Sequence, residues 1–152
     1  MRRCLQIESD YLKGIGGDMV TITDAMKDVA TKSKGWAVAT ATKEGVPNVV
    51  TVAFGQVLSR DEILLVDVFM KKTEANIKAN PQVAVAIWDM ESMVGYQFKG
   101  DARIEASGGL FDKAFQMVRS VAPQLTPKAA VIVDVKEIYL ISPGADAGKL
   151  VS

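Results

Sequence analysis

The chain has 152 residues, 18 basic and 18 acidic side chains, no histidine and a single cysteine, Cys4. One cysteine excludes a disulfide within the chain, and the lack of histidine excludes Ser-His-Asp catalysis, Cys-His catalysis and histidine metal ligation. A net charge of zero does not favour a nucleic-acid or anionic-membrane partner, and no apolar run reaches membrane-spanning length. We therefore expect one cytoplasmic domain whose chemistry comes from carboxylates, lysines, tyrosines or a bound cofactor.

The first eighteen residues show no hydrophobic periodicity and are predicted to be a tail, followed by one domain over residues 19–152. Gly14-x-Gly16 resembles the start of a dinucleotide loop, but Met19 stands where the third glycine belongs and no strand precedes it. After the tail, Thr21 and Asp24 have the spacing of a capping box, which predicts a helix that ends at Lys34 and Gly35.

Alternating and apolar segments separated by turn residues predict six strands, at residues 36–42, 48–54, 62–69, 83–89, 95–105 and 129–141. The second strand can extend to Leu58 with Gly55 as a bulge, and the fifth is expected to bend or bulge at Gly100. Short turns join most of these strands, so neighbours should pair antiparallel. The prediction is a mainly β protein, an antiparallel barrel with short helices at 74–79 and 110–118.

The segment most suggestive of chemistry is the corner between the third strand and the second helix, residues 70–81. Lys71, Lys72 and the Thr73 hydroxyl stand where the helix begins, and Asn80 before Pro81 ends it. A helix start carries partial positive charge and unpaired N–H groups, so two lysines and a hydroxyl there would suit a phosphate. The alternative is an ordinary solvated helix start.

The order and spacing of these segments resemble the FMN-binding split β-barrel proteins related to pyridoxamine 5′-phosphate oxidase. The resemblance runs from about Asp24 to the C-terminus. It is carried by the segments Gly-Val-Pro at 45–47, Lys-Thr-Glu-Ala-Asn-Ile at 72–77, Asn-Pro at 80–81, Gly-Tyr-Gln-Phe-Lys-Gly at 95–100 and the tail with Pro143, Gly144 and 147–149. It implies a flavoprotein oxidoreductase, a homodimer with one FMN in each of two clefts between subunits.

The resemblance also implies which residues bind the cofactor. Lys72 and Thr73, with Lys71 beside them, match the phosphate-binding pair of the family. The flavin ring would lie along the strand of Val52, Ala53 and Phe54, and the ring or ribityl chain would meet the strand end at Val66 and Asp67. The partner subunit would line the cleft with Trp88, Tyr96 and Gln97. No catalytic side chain and no metal is implied, because the chemistry is carried by the flavin.

Each of these assignments has a simpler alternative. Asp67 would also fit as a strand-end carboxylate paired with a lysine, Trp88 and Tyr96 as core or dimer packing, and Gln97 as a solvent-facing position. The segment 48–54 has no basic residue where the oxidases carry one, which argues against pyridoxamine phosphate as the substrate. Two other functions stay open. One is an FMN electron carrier without its own substrate, served by a small-molecule or protein redox partner, and the other is a deazaflavin-using reductase. An oligonucleotide-binding barrel is disfavoured by the zero net charge.

Overall fold

The computed structural model describes residues 19–152, so the predicted tail at 1–18 and Cys4 lie outside the described residues. Over this range the chain forms one antiparallel sheet flanked by helices. The helices are α1 (Asp24–Lys32), α2 (Lys72–Ala79) and α3 (Gly109–Val121), and the strands are β1 (Trp36–Ala41), β2 (Pro47–Val52), β3 (Gly55–Val57), β4 (Glu62–Asp67), β5 (Gln82–Asp89), β6 (Val94–Glu105) and β7 (Ala129–Leu140). None of the helices in residues 19–152 combines the length and apolar character needed to cross a lipid bilayer.

The sheet curls so that two strands adjacent in sequence form its two edges. The strand order is β2-β1-β5-β6-β7-β4-β3, and only Ala53 and Phe54 separate β2 from β3. The fold is therefore the predicted mainly β split barrel, with seven strands rather than six. The prediction of one strand continuing to Leu58 is wrong, because the chain leaves β1 after Val52 and pairs with β4 from Gly55 onward.

Gly55 does not form the predicted bulge but opens β3 opposite Leu65. A Cβ atom on Gly55 would lie 2.6 Å from the indole ring of Trp36. Glycine therefore allows the edge strand to approach a buried tryptophan. The close approach lets the chain cross from the edge strand β2 to the edge strand β3, and we call this junction between the two edges the seam.

Strand β4 is buried on both of its faces. One face, with Ile63 and Leu65, belongs to the main core inside the curled sheet, and the other, with Leu64 and Val66, lies under α3. An amphipathic strand alternates apolar and polar residues, whereas a strand covered on both sides has no solvent face. The uninterrupted apolar run in this part of the sequence follows from this arrangement.

The predicted irregularity at Gly100 is confirmed. Lys99 pairs with Glu137 and Gly100 with Val135, so Lys136 is an extra residue in β7. A Cβ on Gly100 would lie 2.0 Å from the carbonyl oxygen of Asp134, a distance that no side chain tolerates. The bulge gives β6 and β7 the bend that the curled sheet requires.

Helix α1 begins two residues later than the predicted capping box. Thr23, not Thr21, is the N-cap, with its hydroxyl accepting from the Met26 amide at 3.4 Å, and the helix ends at Lys32 with Ser33 as C-cap. The Thr21 hydroxyl instead donates to the Met19 carbonyl. The correct cap places Met26 and Val29 in the main core, so α1 covers one end of the barrel.

Candidate functional site

A cavity of about 310 Å³ lies outside the barrel at the seam between its two edge strands. It is formed by the end of β2, the end of β4 with the turn that follows, and the segment between α3 and β7. Its lining is apolar apart from one threonine, and comprises Val50, Thr51, Val52, Ala53, Phe54, Val66, Val68, Phe69, Met70 and Leu125. A cavity of this composition favours a largely apolar group.

The strand order brings the two halves of this cavity together. β2 ends at Val52, and the Phe54 carbonyl accepts from the Val66 amide at 2.9 Å, so the seam peptide is fixed against β4. Behind it, Phe54 packs with the apolar cluster under α3. The four predicted ring-binding residues, Val52, Ala53, Phe54 and Val66, therefore line one cavity.

The cationic corner follows the cavity directly in the chain. Met70 lines the cavity, Lys71 is the N-cap of α2 and Lys72 is its first residue, and both lysines are exposed. No side chain caps this helix start in the described part of the chain. An uncapped helix start flanked by two ammonium groups is an arrangement that suits an anion.

Thr73 lies behind the corner rather than on its surface. The residue is 1% exposed, and its hydroxyl accepts a hydrogen bond from the Asn48 amide at 3.0 Å. The Asn48 amide also donates to the Thr40 hydroxyl at 3.2 Å, and the Asn76 amide donates to the same hydroxyl at 3.0 Å. This network ties the first turn of α2, which carries Lys72, to β1 and β2, and the predicted contact of Thr73 with a phosphate stays a prediction.

Asp67 is placed on the opposite side of β4 from Val66. Its Oδ1 atom accepts from the Met70 amide at 2.8 Å, and its Oδ2 atom, buried and without a well-aligned hydrogen bond in the described chain, lies 3.4 Å from Lys128 Nζ. Alternation along a strand sends neighbouring side chains to opposite faces. The structure therefore gives Asp67 the alternative assignment, a strand-end carboxylate paired with a lysine, and does not bring it to the cavity.

Glu74 completes the charge cluster beneath the corner. Its carboxylate contacts Lys78 Nζ at 2.5 Å and Lys128 Nζ at 3.0 Å, and hydrogen bonding to Lys78 and then Lys128 lowers the pKa of Glu74. The hydrogen bond to Glu74 raises the pKa of Lys128 against the opposing effect of desolvation, and the charges of Asp67 and Glu74 add smaller increases. Both groups are therefore held in their charged forms around neutral pH.

Replacing Glu74 with glutamine is expected to flatten the acid dependence of stability. A carboxyl whose pKa is lower in the folded chain stabilises it above the unfolded value of about 4.3, and this contribution is lost as the pH falls through the folded pKa. The loss at neutral pH should be below about 1 kcal/mol, because the ion pairs are partly exposed. Urea unfolding of both proteins between pH 7 and pH 3 measures it, and parallel curves would contradict the assignment.

Three predicted residues lie away from the cavity within one chain. Trp88, 39% exposed, lines a second cavity of about 570 Å³ together with Gly35, Thr51 and Met90. Gln97 lies on the outer face of the sheet between Ala86 and Tyr139, whereas Tyr96 is paired with Ile87 and packs against the main core. None of the three lines the cavity of its own chain, and the prediction that they line the cleft of a partner subunit stays a prediction.

The structure also adds residues that the sequence did not single out. Leu125 lines the cavity from the segment after α3, and Lys128 reaches the corner from the end of that segment. Phe69, 75% exposed, stands at the edge of the same cavity. Pro123 and Pro127 in the sequence predict a loop here, but hydrophobic periodicity carries no information on where a loop packs.

Comparison with known proteins places this geometry in a family. The family model described as pyridoxamine 5′-phosphate oxidase matches residues 22–142, which includes every strand and every predicted site residue. Together with the split-barrel fold, this match shows that the chain belongs to the pyridoxamine 5′-phosphate oxidase family.

Individual relatives agree with this assignment. The uncharacterized protein MJ0282 of Methanocaldococcus jannaschii is 39% identical over 117 residues, which is 76% of this chain and 78% of that protein. HupZ of Group A Streptococcus superposes with a TM-score of 0.74 at 28% identity, covering 84% of this chain and 99% of that one. An FMN-binding protein of Syntrophomonas wolfei has the same fold, with a TM-score of 0.72 at 11% identity and coverage of 93% and 99%.

Proposed function

We propose that this protein is an FMN-binding oxidoreductase that acts as a homodimer in the cytoplasm. The observation that carries the proposal is an apolar cavity at the barrel seam whose lining residue Met70 is followed in the chain by an uncapped, doubly cationic helix start. FMN has the matching parts, a flat tricyclic ring and a terminal phosphate dianion. The family membership supports the same cofactor.

The residues would divide the binding between them. The backbone of Val52 to Phe54 would orient the ring, while Val66, Met70 and Leu125 would exclude water from it. Lys71, Lys72 and the first amides of α2 would hold the phosphate, with charge-assisted hydrogen bonds of about 1.5–3 kcal/mol each. Bound FMN would supply the transfer of hydride or electrons, chemistry that no side chain of the cavity can perform.

The homodimer is proposed through the outer face of β2, β1, β5 and β6. Rows of paired residues run across this face with small or apolar side chains, as in Thr51–Ala37–Ala86 and Val49–Ala39–Ala84. Val49 is 66% exposed, and the larger Trp88 stands at the end of the face. A second copy is the occupant we favour, because zero net charge does not oppose self-association and Trp88 and Gln97 lie on this face without reaching their own cavity.

A second candidate is an FMN-binding electron carrier without a substrate of its own. It is favoured by the cavity lining, in which none of the ten residues carries an ionisable side chain. A substrate that exchanges protons as well as electrons would usually meet an acid or base near the flavin. Reduction of the protein by a one-electron protein donor, but by neither NADH nor NADPH, would distinguish the carrier from the oxidoreductase.

The cofactor proposal is tested on the purified full chain. We expect a visible flavin spectrum, or its appearance when FMN is added, and release of FMN on heating, identified by mass spectrometry. Parallel titrations with FMN, riboflavin and the deazaflavin F420 rank the three ligands. A protein that is colourless and takes up no FMN, or that prefers F420, would overturn the assignment to FMN.

A further inference from the structure

One lysine that does not line the cavity contacts three residues around the cationic corner. Lys128 Nζ lies 2.5 Å from the Met70 carbonyl oxygen, 3.0 Å from Glu74 Oε2 and 3.4 Å from Asp67 Oδ2. Its backbone amide also donates to the Asp67 carbonyl at 2.7 Å. A single ammonium therefore contacts the last residue of β4, the residue before the N-cap of α2 and the third residue of that helix.

These contacts fix the turn at both of its ends. Asp67 is 1% exposed and caps the turn by accepting from the Met70 amide, and Lys128 is the cation that faces its other oxygen. Glu74, whose side chain is partly exposed, joins Lys128 to Lys78 across the first turns of α2. Without the ammonium, the buried Oδ2 atom of Asp67 and the Met70 carbonyl would both lose the cation they face, and the turn that directs Lys71 and Lys72 would lose these contacts.

The segment that carries Lys128 also closes the cavity. Residues 122–128 connect α3 to β7, and Leu125 in its middle lines the cavity while packing on the cluster under α3. The Leu125 amide donates to the Ala122 carbonyl at 2.9 Å, which holds the start of the segment. One short segment thus contacts the apolar cavity with Leu125 and the cationic corner with Lys128.

We propose that Lys128 is a positioning residue for phosphate binding, which acts by fixing the turn that presents Lys71 and Lys72. The inference rests on the proposed FMN site. Lys128 itself faces Asp67 and Glu74 beneath the corner, so it serves the phosphate through the turn and not by direct contact. Its loss should therefore affect ligands that carry the phosphate and spare those that lack it.

The test compares Lys128→Met with Lys136→Met, which removes a lysine from an exposed ion pair with Asp134 on β7. Dissociation constants for FMN and for riboflavin are measured by flavin fluorescence. We expect Lys128→Met to weaken FMN binding about tenfold and riboflavin binding less than about twofold, and Lys136→Met to change neither. Unchanged FMN binding, or equal losses for both ligands, would overturn the positioning role.

A second variant keeps the test decisive if the buried Asp67 charge, left without its lysine, prevents Lys128→Met from folding. Lys128→Met combined with Asp67→Asn removes the buried charge with its partner, and the same loss of preference for FMN over riboflavin is expected. Hydrogen exchange without ligand gives an independent measure, because the Met70 amide should exchange about tenfold faster in either variant. Unchanged exchange would reject the positioning role, whereas faster exchange in a chain that binds no FMN would reject the proposed function alone.

Discussion

Replacement of both Lys71 and Lys72 with methionine is expected to weaken FMN binding by about a hundredfold, because two charge-assisted contacts of about 1.5–3 kcal/mol each would be lost. Methionine keeps the length of the side chain and removes only its charge. Both lysines are exposed, and neither takes part in an ion pair among residues 19–152, so the fold should persist. Binding is measured by quenching of FMN fluorescence at fixed ionic strength.

Two comparisons make this result specific to the phosphate. Riboflavin, which lacks the phosphate, should bind the double variant as it binds the original chain. Lys113→Met removes a cation from the exposed side of α3, where the lysine belongs to no ion pair among residues 19–152, and should leave FMN affinity within about twofold. Unaltered FMN affinity in the double variant would show that the phosphate is bound elsewhere.

Substitution of Ala86 by arginine should convert the proposed homodimer into monomers. Ala86 lies in the centre of the proposed face, paired with Ala37 on one side and Gln97 on the other. An arginine there would bury an unpaired charge between two subunits, at a cost of about 2–5 kcal/mol, or a dissociation constant raised at least about thirtyfold. Sedimentation velocity across a range of protein concentrations measures the change.

The matched control for this substitution is Ala25→Arg, on the exposed side of α1 and away from the proposed face. It introduces the same charge and should leave the oligomeric state unchanged. If Trp88 and Gln97 of a second subunit line the cleft, the Ala86 variant should also lose FMN affinity. A monomeric original chain, or an Ala86→Arg protein that dimerises normally, would rule out this face.

The sequence predicted those parts of the fold that are encoded by local pattern. Gly100 could be identified as an irregularity because a glycine between two segments of one strand marks a close approach of backbones, and the structure shows that approach to Asp134. The apolar run of β4 indicated burial, although the sequence did not show that α3 covers its second face. The corner after β4 could be predicted because the apolar run gives way to charged residues at Lys71.

Features that depend on three-dimensional pairing could not be predicted in this way. Whether residues 48–58 form one strand or two depends on which neighbours they pair with, and the sheet divides them between its two edges. Val66 and Asp67 were assigned together to the cofactor, yet adjacent strand residues face opposite sides, and Asp67 lies with Lys128. The partner of Asp67 is 61 positions away in sequence, in a loop whose packing no local pattern reveals.

The two residues between β2 and β3 have a consequence for how this protein should respond to ligands. Since Ala53 and Phe54 alone connect the outermost strands, the separation of those strands is limited by a dipeptide that also borders the cavity. A molecule bound there would oppose the separation of the two edge strands, and not only the motion of one loop. Thermal denaturation should then shift to higher temperature as the ligand concentration rises, and the last protected amides in the free chain should be those farthest from this dipeptide.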